Sequence, residues 1–385
     1  MKGEHMKKMI KSAVSLLLAA ALLLGLGACA AQPEAEEVLP AETKVEAQPV
    51  LDPIDDNYRT FYQVFVGSFS DSNNDGIGDL RGVINRMDYL NDGDINSGND
   101  LGVQGIWLSP IFTSPSYHKY DAKDYYEIDW RFGTMEDLKE LADLCEARNV
   151  KLILDLAINH TSSHHEWFLQ FKEARANGDT ENPYYDFYSC ATTAEKLNGV
   201  TYQKIAGVDC WYECNFSGEM PELNYDNPEV REAMLDVAKY YLDLGVDGFR
   251  FDAVKYIYYG DVQQSVAFWE WYMEELRKID PEIYCVGECW SGEGEILEYY
   301  GAMNCFNFAM SQAEGVIASA ARDSPCPTIP TMWLPTRRRC GKRIRKAWSC
   351  PSCPTMIWTA SAARSFWRTI CAWRQTSTCF LPALP

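Results

Sequence analysis

The stretch "GVDGFRFDAVKY" at residues 245–256 decides the fold, because it sets two charged side chains into an apolar strand pattern. Side chains two residues apart in a strand point the same way. Arg250 and Asp252 therefore share one face, and Phe249 and Phe251 share the other. Burying a charge is costly unless the charge is paired or used. The segment predicts a buried strand whose charged face is either a structural ion pair or part of a functional site.

Strand and helix patterns alternate on both sides of this segment. We expect strands near 61–69, 103–111, 151–158, 246–254, 282–289 and 303–309, with helices over 135–148, 228–244 and 263–279. This alternation is typical of a parallel sheet covered on both faces, which closes into a (β/α)8 TIM barrel when it repeats often enough. Residues 160–225 lack clear helical periodicity and are too many for a plain loop. The predicted fold class is α/β, an incomplete (β/α)8 barrel of about six strands within 58–320, with a small domain inserted after the third strand.

Polar residues recur where the predicted strands end, which is where the active sites of barrels lie. "LDLAINH" places Asp155 and Asn159 on one face, with His160 just beyond, and "YCVGECW" places Glu288 between apolar neighbours. Apolar surroundings raise the pKa of a carboxylic acid, as a proton donor near neutral pH requires. A carboxylate beside an arginine, together with such an acid, is the arrangement used in glycoside hydrolysis.

These segments resemble the signatures of the α-amylase superfamily of glycoside hydrolases. "DLAINH" is similar to the first signature of that family, "GFRFDAVK" to the second and "VGECW" to the third. "MPELN" at 220–224 resembles the extra signature that ends the inserted domain. "SYHKYD" at 116–121 resembles the tyrosine-bearing loop beside the cleaved sugar. The likeness runs in the right order over roughly residues 58–320.

The resemblance implies retaining cleavage of α-1,4-glucans such as starch and maltooligosaccharides. Asp252 would be the nucleophile, Glu288 the general acid/base, and Arg250 the group that holds the nucleophile. The implied substrate-binding residues are His118, Tyr120, Asp155, Asn159, His160 and Lys255. Tyr256 stands where many members of the family have His, so the resemblance does not decide which residues bind the aglycone side of the substrate. An α-glucosidase or transglycosylase of the same superfamily, or a non-catalytic α-glucan-binding lipoprotein, are the alternatives.

The acidic stretch "DSNNDGIGD" at 71–79 has the spacing of a calcium loop. Hard oxygen ligands suit Ca²⁺, and Gly76 allows the turn. Gly82 stands where an EF-hand has its last glutamate, so the loop is not an EF-hand. The family resemblance also implies calcium here, with the Ile77 carbonyl as a further ligand. The expected metal ligands are Asp71, Asn73, Asp75, Ile77 and Asp79; a solvated acidic turn is the alternative.

The N-terminal residues have the pattern of an export signal. Lys7, Lys8 and Lys11 precede the apolar run "AVSLLLAAALLLGLGA", which is typical of a signal peptide over 1–28. "LGAC" resembles the lipobox of bacterial lipoproteins, which implies lipidation at Cys29 and an extracytoplasmic, membrane-anchored protein. An ordinary secreted protein is the alternative. Residues 29–57 are acidic, rich in Ala and Pro, and read as a disordered tether.

The C-terminal residues differ in composition from the rest of the chain. No Asp or Glu follows Asp323, whereas ten Lys and Arg do. No His follows His165, so the family's "NHD"-type motif, which supplies a third carboxylate, is missing. We expect that residues 321–385 come from a frameshift and that the chain as written is unstable or inactive. A genuine basic module is the rival interpretation, but the net charge of −20 argues against nucleic acid as the main partner.

Three cysteines of the inserted region, Cys190, Cys210 and Cys214, could form a disulfide outside the cell. Their spacing does not decide which two would pair.

Overall fold

The computed structural model describes Asp56 and residues 59–308 of the 385-residue chain. The strands are β1 (Phe61–Val64), β2 (Gly105–Leu108), β3 (Phe112–Thr113), β4 (Asp124–Ile128), β5 (Lys151–Leu156), β6 (Cys190–Ala191), β7 (Tyr202–Lys204), β8 (Trp211–Glu213), β9 (Gly248–Phe251), β10 (Tyr284–Gly287) and β11 (Asn304–Cys305). The helices are α1 (Val66–Phe69), α2 (Leu80–Asn85), α3 (Met87–Leu90), α4 (Met135–Ala147), α5 (Glu166–Asn177), α6 (Pro228–Asp243), α7 (Val262–Ile279) and α8 (Glu293–Tyr299). The predicted signal peptide, Cys29, most of the predicted tether and the basic tail lie outside the described residues.

Six parallel strands form a curled sheet in the order β1-β2-β5-β9-β10-β11. The order follows the chain, as it does when each strand is followed by a crossover in a (β/α) barrel. The α/β class and the incomplete barrel are therefore confirmed, and each predicted strand segment contains one strand. The segment near 61–69 was predicted too long: β1 ends at Val64 because Val66–Phe69 turns into the short helix α1.

The two faces of the sheet are packed differently. Phe249 and Phe251 point to the outside, where the Phe251 ring lies 4.9 Å from that of Trp269 in α7. The inner face holds a separate small apolar cluster built on Ile153, Tyr284 and Val286. Near-continuous apolar strands are expected where both faces of a parallel sheet are covered. The alternation predicted for "GFRF" is confirmed by these contacts.

The predicted helices α4, α6 and α7 form within one residue of the expected limits. Each begins at a capping side chain: Thr134 in a capping box with Asp137, Asn227 followed by Pro228, and Asp261. Such caps satisfy backbone N–H groups that have no partner within the helix. Within the described part of the chain, no helix is both long and apolar enough to span a bilayer.

The segment between β5 and α6 carries its own small structure. It contains the helix α5 and an antiparallel sheet in the order β6-β8-β7. The sequence pattern does not predict α5, which begins at the cap His165 and ends at Gly178 in a left-handed conformation. An isolated bridge between His160 and Glu222 joins the start of this segment to its end. The insertion therefore closes on itself directly beside the end of β5.

Candidate active site

Three neighbouring strand ends bring the charged residues together. Asp155 in β5 lies in register with Arg250 in β9, and Asp252 follows directly after β9. The Glu288 N–H donates to the Phe251 carbonyl at 2.9 Å, so the ladder between β9 and β10 continues one residue past β10. The backbone therefore places all four charged side chains at the carboxyl edge of the sheet, where barrel enzymes carry their active sites.

One guanidinium contacts three carboxylates. The Arg250 Nη1 lies 2.7 Å from Asp155 Oδ1 and 2.8 Å from Asp252 Oδ1, and Nη2 lies 2.5 Å from Glu288 Oε2. Arg250 is buried, so these contacts are poorly screened by water. The group holds more negative than positive charge when all three acids are ionised. A proton or a cationic group is therefore favoured at this point of the molecule.

The backbone turns sharply directly after Asp252. Ala253 has φ 51° and ψ 40°, a left-handed conformation that residues other than glycine seldom adopt. The turn follows the end of β9 at Phe251 and starts a 3₁₀ turn over Val254–Tyr256. Strain of this kind is held by the surrounding structure and is common at functional sites. Here it sets the Asp252 carboxylate at the rim of the barrel.

Asp155 receives hydrogen bonds from two aromatic side chains as well as from Arg250. The Trp107 indole N–H donates to Asp155 Oδ2 at 3.2 Å, and the Tyr120 hydroxyl donates to the same oxygen at 3.0 Å. Burial raises the pKa of Asp155 to about 7, and the Arg250 charge opposes that rise. Asp155 therefore links Tyr120 to the charged cluster. Sequence reasoning missed Trp107, although its position in the predicted second strand was a signal.

Glu288 has the environment of a proton donor. Burial raises the pKa of this carboxyl, Arg250 opposes the rise, and the nearby Asp252 charge supports it. A hydrogen bond between the Glu288 and Asp252 carboxyls also favours the protonated form of Glu288. The apolar flank predicted from Trp290 differs in detail, because that ring is exposed and stacks on Phe308 at 5.6 Å. Burial at the strand end, supported by the Asp252 charge, therefore raises the pKa of Glu288 without an apolar wall from Trp290.

A buried ion pair holds the loop at 116–121 in place. Lys119 is 2% exposed and forms an ion pair with Asp129, which Arg131 also contacts at 2.9 Å. Lys119 also adopts a positive φ of 64°, so the backbone turns sharply between His118 and Tyr120. His118 lies on the exposed side, where its Nδ1 accepts from the Tyr120 N–H at 3.1 Å. The buried ion pair thus holds the two predicted sugar contacts of this loop.

His160 and Asn159 occupy the junction between β5 and the insertion. His160 is fully buried, burial lowers its pKa, and Nε2 has no hydrogen-bond partner, which suits a ligand contact. The charge of Asp252 acts on His160, so the ring borders the charged cluster. Asn159 instead bonds the Glu222 side chain and comes within 3.4 Å of His160. Asn159 therefore holds the insertion to the barrel.

An aromatic series runs from His160 toward Lys255. Phe216 lies 5.2 Å from His160 and 4.5 Å from Tyr256 between ring centroids, and Tyr256 stacks on Tyr259 at 5.0 Å. The Lys255 ammonium donates to the Trp290 carbonyl at 2.8 Å, which ties the end of β9 to the loop after β10. Sequence reasoning missed Phe216, since it lies in the insertion and carries no motif.

The acidic loop at 71–79 curls as its spacing predicts. The Gly76 N–H donates to Asp71 Oδ2 at 2.8 Å, and the Asn73 side chain contacts Asp75 Oδ2 at 3.2 Å. Asp79 caps α2, where its Oδ1 accepts from the Gly82 N–H, and its Oδ2 accepts from the Ser72 N–H and hydroxyl at 3.0 Å. Among the described residues no three His, Cys, Asp or Glu side chains form a metal-binding group. Asp71, Asn73 and Asp75 fit a calcium loop in which amide and carbonyl oxygens complete the ligand set.

Comparison with known proteins agrees with this arrangement. The model of the alpha-amylase family, described as the alpha amylase catalytic domain, matches residues 63–321. The chain belongs to the alpha-amylase family. It is 43% identical over 253 residues to Alpha-amylase 3 of Dictyoglomus thermophilum, which covers 65% of this chain and 47% of that protein. An oligo-1,6-glucosidase of Bacillus cereus is 39% identical over 206 residues, 51% of this chain and 35% of its own length.

Solved structures show the same relationship. Eubacterium rectale Amy13B matches with a TM-score of 0.68 and 36% identity, over 76% of this chain and 57% of that one. An alpha-amylase from H. orenii matches with a TM-score of 0.61 and 39% identity, over 75% of this chain and 57% of that one. The chain thus spans about half the length of these relatives.

Proposed function

We propose that this protein is a retaining glycosidase of the α-amylase type that acts on α-1,4-glucans such as starch and maltooligosaccharides. The observation that carries the proposal is the contact of Asp252 and Glu288 with one guanidinium, that of Arg250. Inverting glycosidases hold their two carboxyls roughly 6.5–9.5 Å apart so that a water fits between them, whereas retaining ones hold them roughly 5–5.5 Å apart. Because Asp252 and Glu288 contact the two Nη atoms of the same guanidinium, their carboxyls lie close together, which supports retention.

The side chains have distinct roles in the proposed reaction. Asp252 attacks the anomeric carbon while Glu288 gives its proton to the glycosidic oxygen, so that the leaving sugar departs and a glycosyl ester forms on Asp252. Glu288, now ionised, takes a proton from water, which attacks the ester and restores both groups. Arg250 keeps a positive charge beside the nucleophile throughout. Tyr120 and His160 border the position of the cleaved sugar.

Incubation of the full chain with maltooligosaccharides tests the proposal. Release of reducing ends above the level of an Asp252→Asn variant, with the α configuration retained in the first product, would support the proposal. It would also overturn the expectation that the chain as written is inactive, which rests on the absence of Asp and Glu after Asp323. Inverted product would contradict the mechanism.

A non-catalytic α-glucan-binding protein is the second candidate, and the missing third carboxylate favours it. Such a protein would keep Tyr120 and the other aromatic contacts without chemistry. Binding of maltotriose with no reducing ends above the Asp252→Asn level would support this role. The relatives also include oligo-1,6-glucosidases and a Trehalose synthase/amylase of Mycolicibacterium smegmatis, 40% identical over 222 residues. An α-glucosidase or transglycosylase is therefore the related alternative, which product analysis distinguishes.

We further propose that the loop at 71–79 binds Ca²⁺ through Asp71, Asn73, Asp75, Asp79 and the Ile77 carbonyl. The loop curvature and its hard oxygen donors support this. The metal would stabilise the connection between β1 and α2 and would take no part in the reaction.

The protein is also proposed to be extracytoplasmic and anchored to the bacterial membrane by lipid on Cys29. The lysine-flanked apolar run followed by "LGAC" supports export and lipidation. Radioactive palmitate incorporated by the wild type and lost in a Cys29→Ser variant would agree with the anchor. A processed, unlabelled protein in the medium would favour plain secretion.

A further inference from the structure

We propose that Cys190 and Cys210 form a disulfide that joins β6 to the turn before β8 in the inserted segment. The pairing of β6 with β8 limits which cysteines can bond to Cys190. In the antiparallel pair of β6 and β8, Cys190 lies opposite Tyr212. Cys210 and Cys214 each lie two residues from Tyr212, so both share the face of Cys190. The register alone thus permits either cysteine as the partner.

Side-chain contacts select Cys210. The thiols of Cys190 and Cys210 hydrogen-bond each other, whereas Cys214 contacts the Gln203 backbone and feels the charges of Glu222 and Glu213. Cys190 and Cys210 are thus the two thiols that interact with each other. Cys214 is buried and contacts the Gln203 backbone instead.

The surroundings favour reaction at Cys190 first. Cys190 is partly exposed, whereas Cys210 is buried, so an oxidant reaches Cys190. The hydrogen bond from Cys210 lowers the pKa of the Cys190 thiol, and the Arg175 charge acts in the same direction. A thiolate is the form that attacks a disulfide.

The bond would form by two exchange steps with an external disulfide. The Cys190 thiolate attacks one sulfur of the oxidant and releases the other as a thiol. Cys210 loses its proton and attacks the mixed disulfide, which releases the second thiol. The two protein thiols are oxidised and the oxidant disulfide is reduced to two thiols. The bond closes a loop over residues 191–209, which include the exposed stretch from Thr193 to Gly199.

Peptide mapping of the full chain tests the pairing without any need for activity. The protein is equilibrated with oxidised glutathione, unfolded, alkylated and cut with trypsin. We expect the peptide 176–196 to be linked to the peptide 205–231. Chymotryptic cleavage after Trp211 then separates the two candidate partners. Linkage to Cys210 with Cys214 alkylated is the expected result; alkylated Cys190, or Cys190 linked to Cys214, would overturn the proposal.

Two variants give a matched comparison. Cys214→Ser is expected to keep the link, and Cys210→Ser is expected to leave Cys190 unlinked to any protein cysteine, as its mixed disulfide with glutathione or alkylated. If Cys210→Ser does not fold, limited trypsin digestion of the wild type replaces it. Cleavage after Lys196 should then be at least several-fold faster once dithiothreitol is added, and an unchanged rate would count against the bond. Cys145, Cys285 and Cys305 are buried and serve as internal reduced controls.

Discussion

Arg250 connects three acids that the chain places on three strand ends, and the chemistry of each acid depends on this shared partner. Asp155 is buried beneath it, Asp252 lies beside it and Glu288 reaches it from the next strand. Removing one partner of a buried ion pair leaves an uncompensated charge, at a cost of roughly 3–5 kcal/mol. At the residue scale, therefore, Arg250 is a structural group that joins three strand ends, and the proposed reaction gives it a second role beside the nucleophile.

Replacing Glu288 by Gln removes the proposed proton donor and keeps the side-chain shape. We expect hydrolysis of maltotriose to fall by roughly 10²–10⁴-fold, the usual contribution of general acid catalysis. α-Glucosyl fluoride needs no proton for its leaving group, so attack on it should be much less affected. The first burst of fluoride release from α-glucosyl fluoride and the initial rate on maltotriose measure this difference, because later hydrolysis of the ester needs Glu288 as a base. The exposed Glu146→Gln is the control, and equal losses on both substrates would argue against Glu288 as the acid.

The raised pKa of Glu222 makes the stability of the folded protein depend on pH. Burial, followed by the charge of Glu213, raises the pKa of Glu222 to about 8. Between its ordinary value near 4.5 and about 8, the folded protein keeps this proton while the unfolded chain has lost it. Stability therefore falls as pH rises through this window, by at most about 1.4 kcal/mol per pH unit for one proton. Glu222→Gln should flatten that slope in urea unfolding measured from pH 5 to 8; an unchanged slope would contradict the assignment.

The sequence predicts the residues of the charged cluster because strand periodicity and family signatures both apply to them. Arg250 and Asp252 alternate with Phe249 and Phe251, and the contacts on the two faces follow that alternation. Phe216 could not be predicted, since its place beside His160 depends on how the insertion folds back. A contact between distant segments leaves no period in the sequence.

At the scale of elements, the main difference from expectation lies in short pieces between the barrel strands. The hairpin of β3 and β4 and the helix α5 have little periodic signal, because buried positions such as Phe168 and Phe171 recur only over a few turns. The hairpin nevertheless carries the loop with His118 and Tyr120. Local hydrogen bonds and a buried ion pair decide its shape, and neither is visible in a pattern of apolar residues.

The Lys119 ion pair is expected to hold that loop in place. Lys119→Met keeps the length of the side chain and removes its charge, while Arg131 remains as a partner of Asp129. We expect a loss of stability on the order of 3 kcal/mol in urea unfolding, since one member of a buried pair is removed. Maltotriose binding, followed by tryptophan fluorescence, should weaken as well. Lys123→Met changes an exposed lysine of the same segment and should do neither.

Calcium is expected to stabilise the loop at 71–79. Calcium a hundredfold above its dissociation constant would add about 2.7 kcal/mol to the free energy of unfolding. Asp75→Asn should reduce the calcium-dependent rise in melting temperature. Asp94→Asn, in another exposed acidic loop, should leave it unchanged. A wild type whose melting temperature is the same in calcium and in EDTA would contradict the calcium proposal.

At the scale of the whole molecule, the described residues form a curled six-stranded sheet whose carboxyl edge carries one continuous polar site. The inner face of the sheet has its own apolar cluster, with Phe61, Trp107 and Phe306 packed against it. The site depends on contacts between β5, β9 and β10 and on the insertion that follows β5. These are the parts that the sequence places correctly, because each strand carries its own motif.

The most direct test of the account is covalent labelling of the nucleophile. The fluoride of a 5-fluoro-α-glucosyl fluoride leaves without a proton, so Asp252 can form a glycosyl ester without help from Glu288. The ester accumulates when its hydrolysis is slow. Trypsin releases Asp252 in the short peptide 251–255, whereas Glu288 lies in the peptide 279–322. The account predicts a glycosyl adduct on peptide 251–255 that Asp252→Asn abolishes. An adduct on peptide 279–322, or no adduct although maltotriose binds, would contradict it.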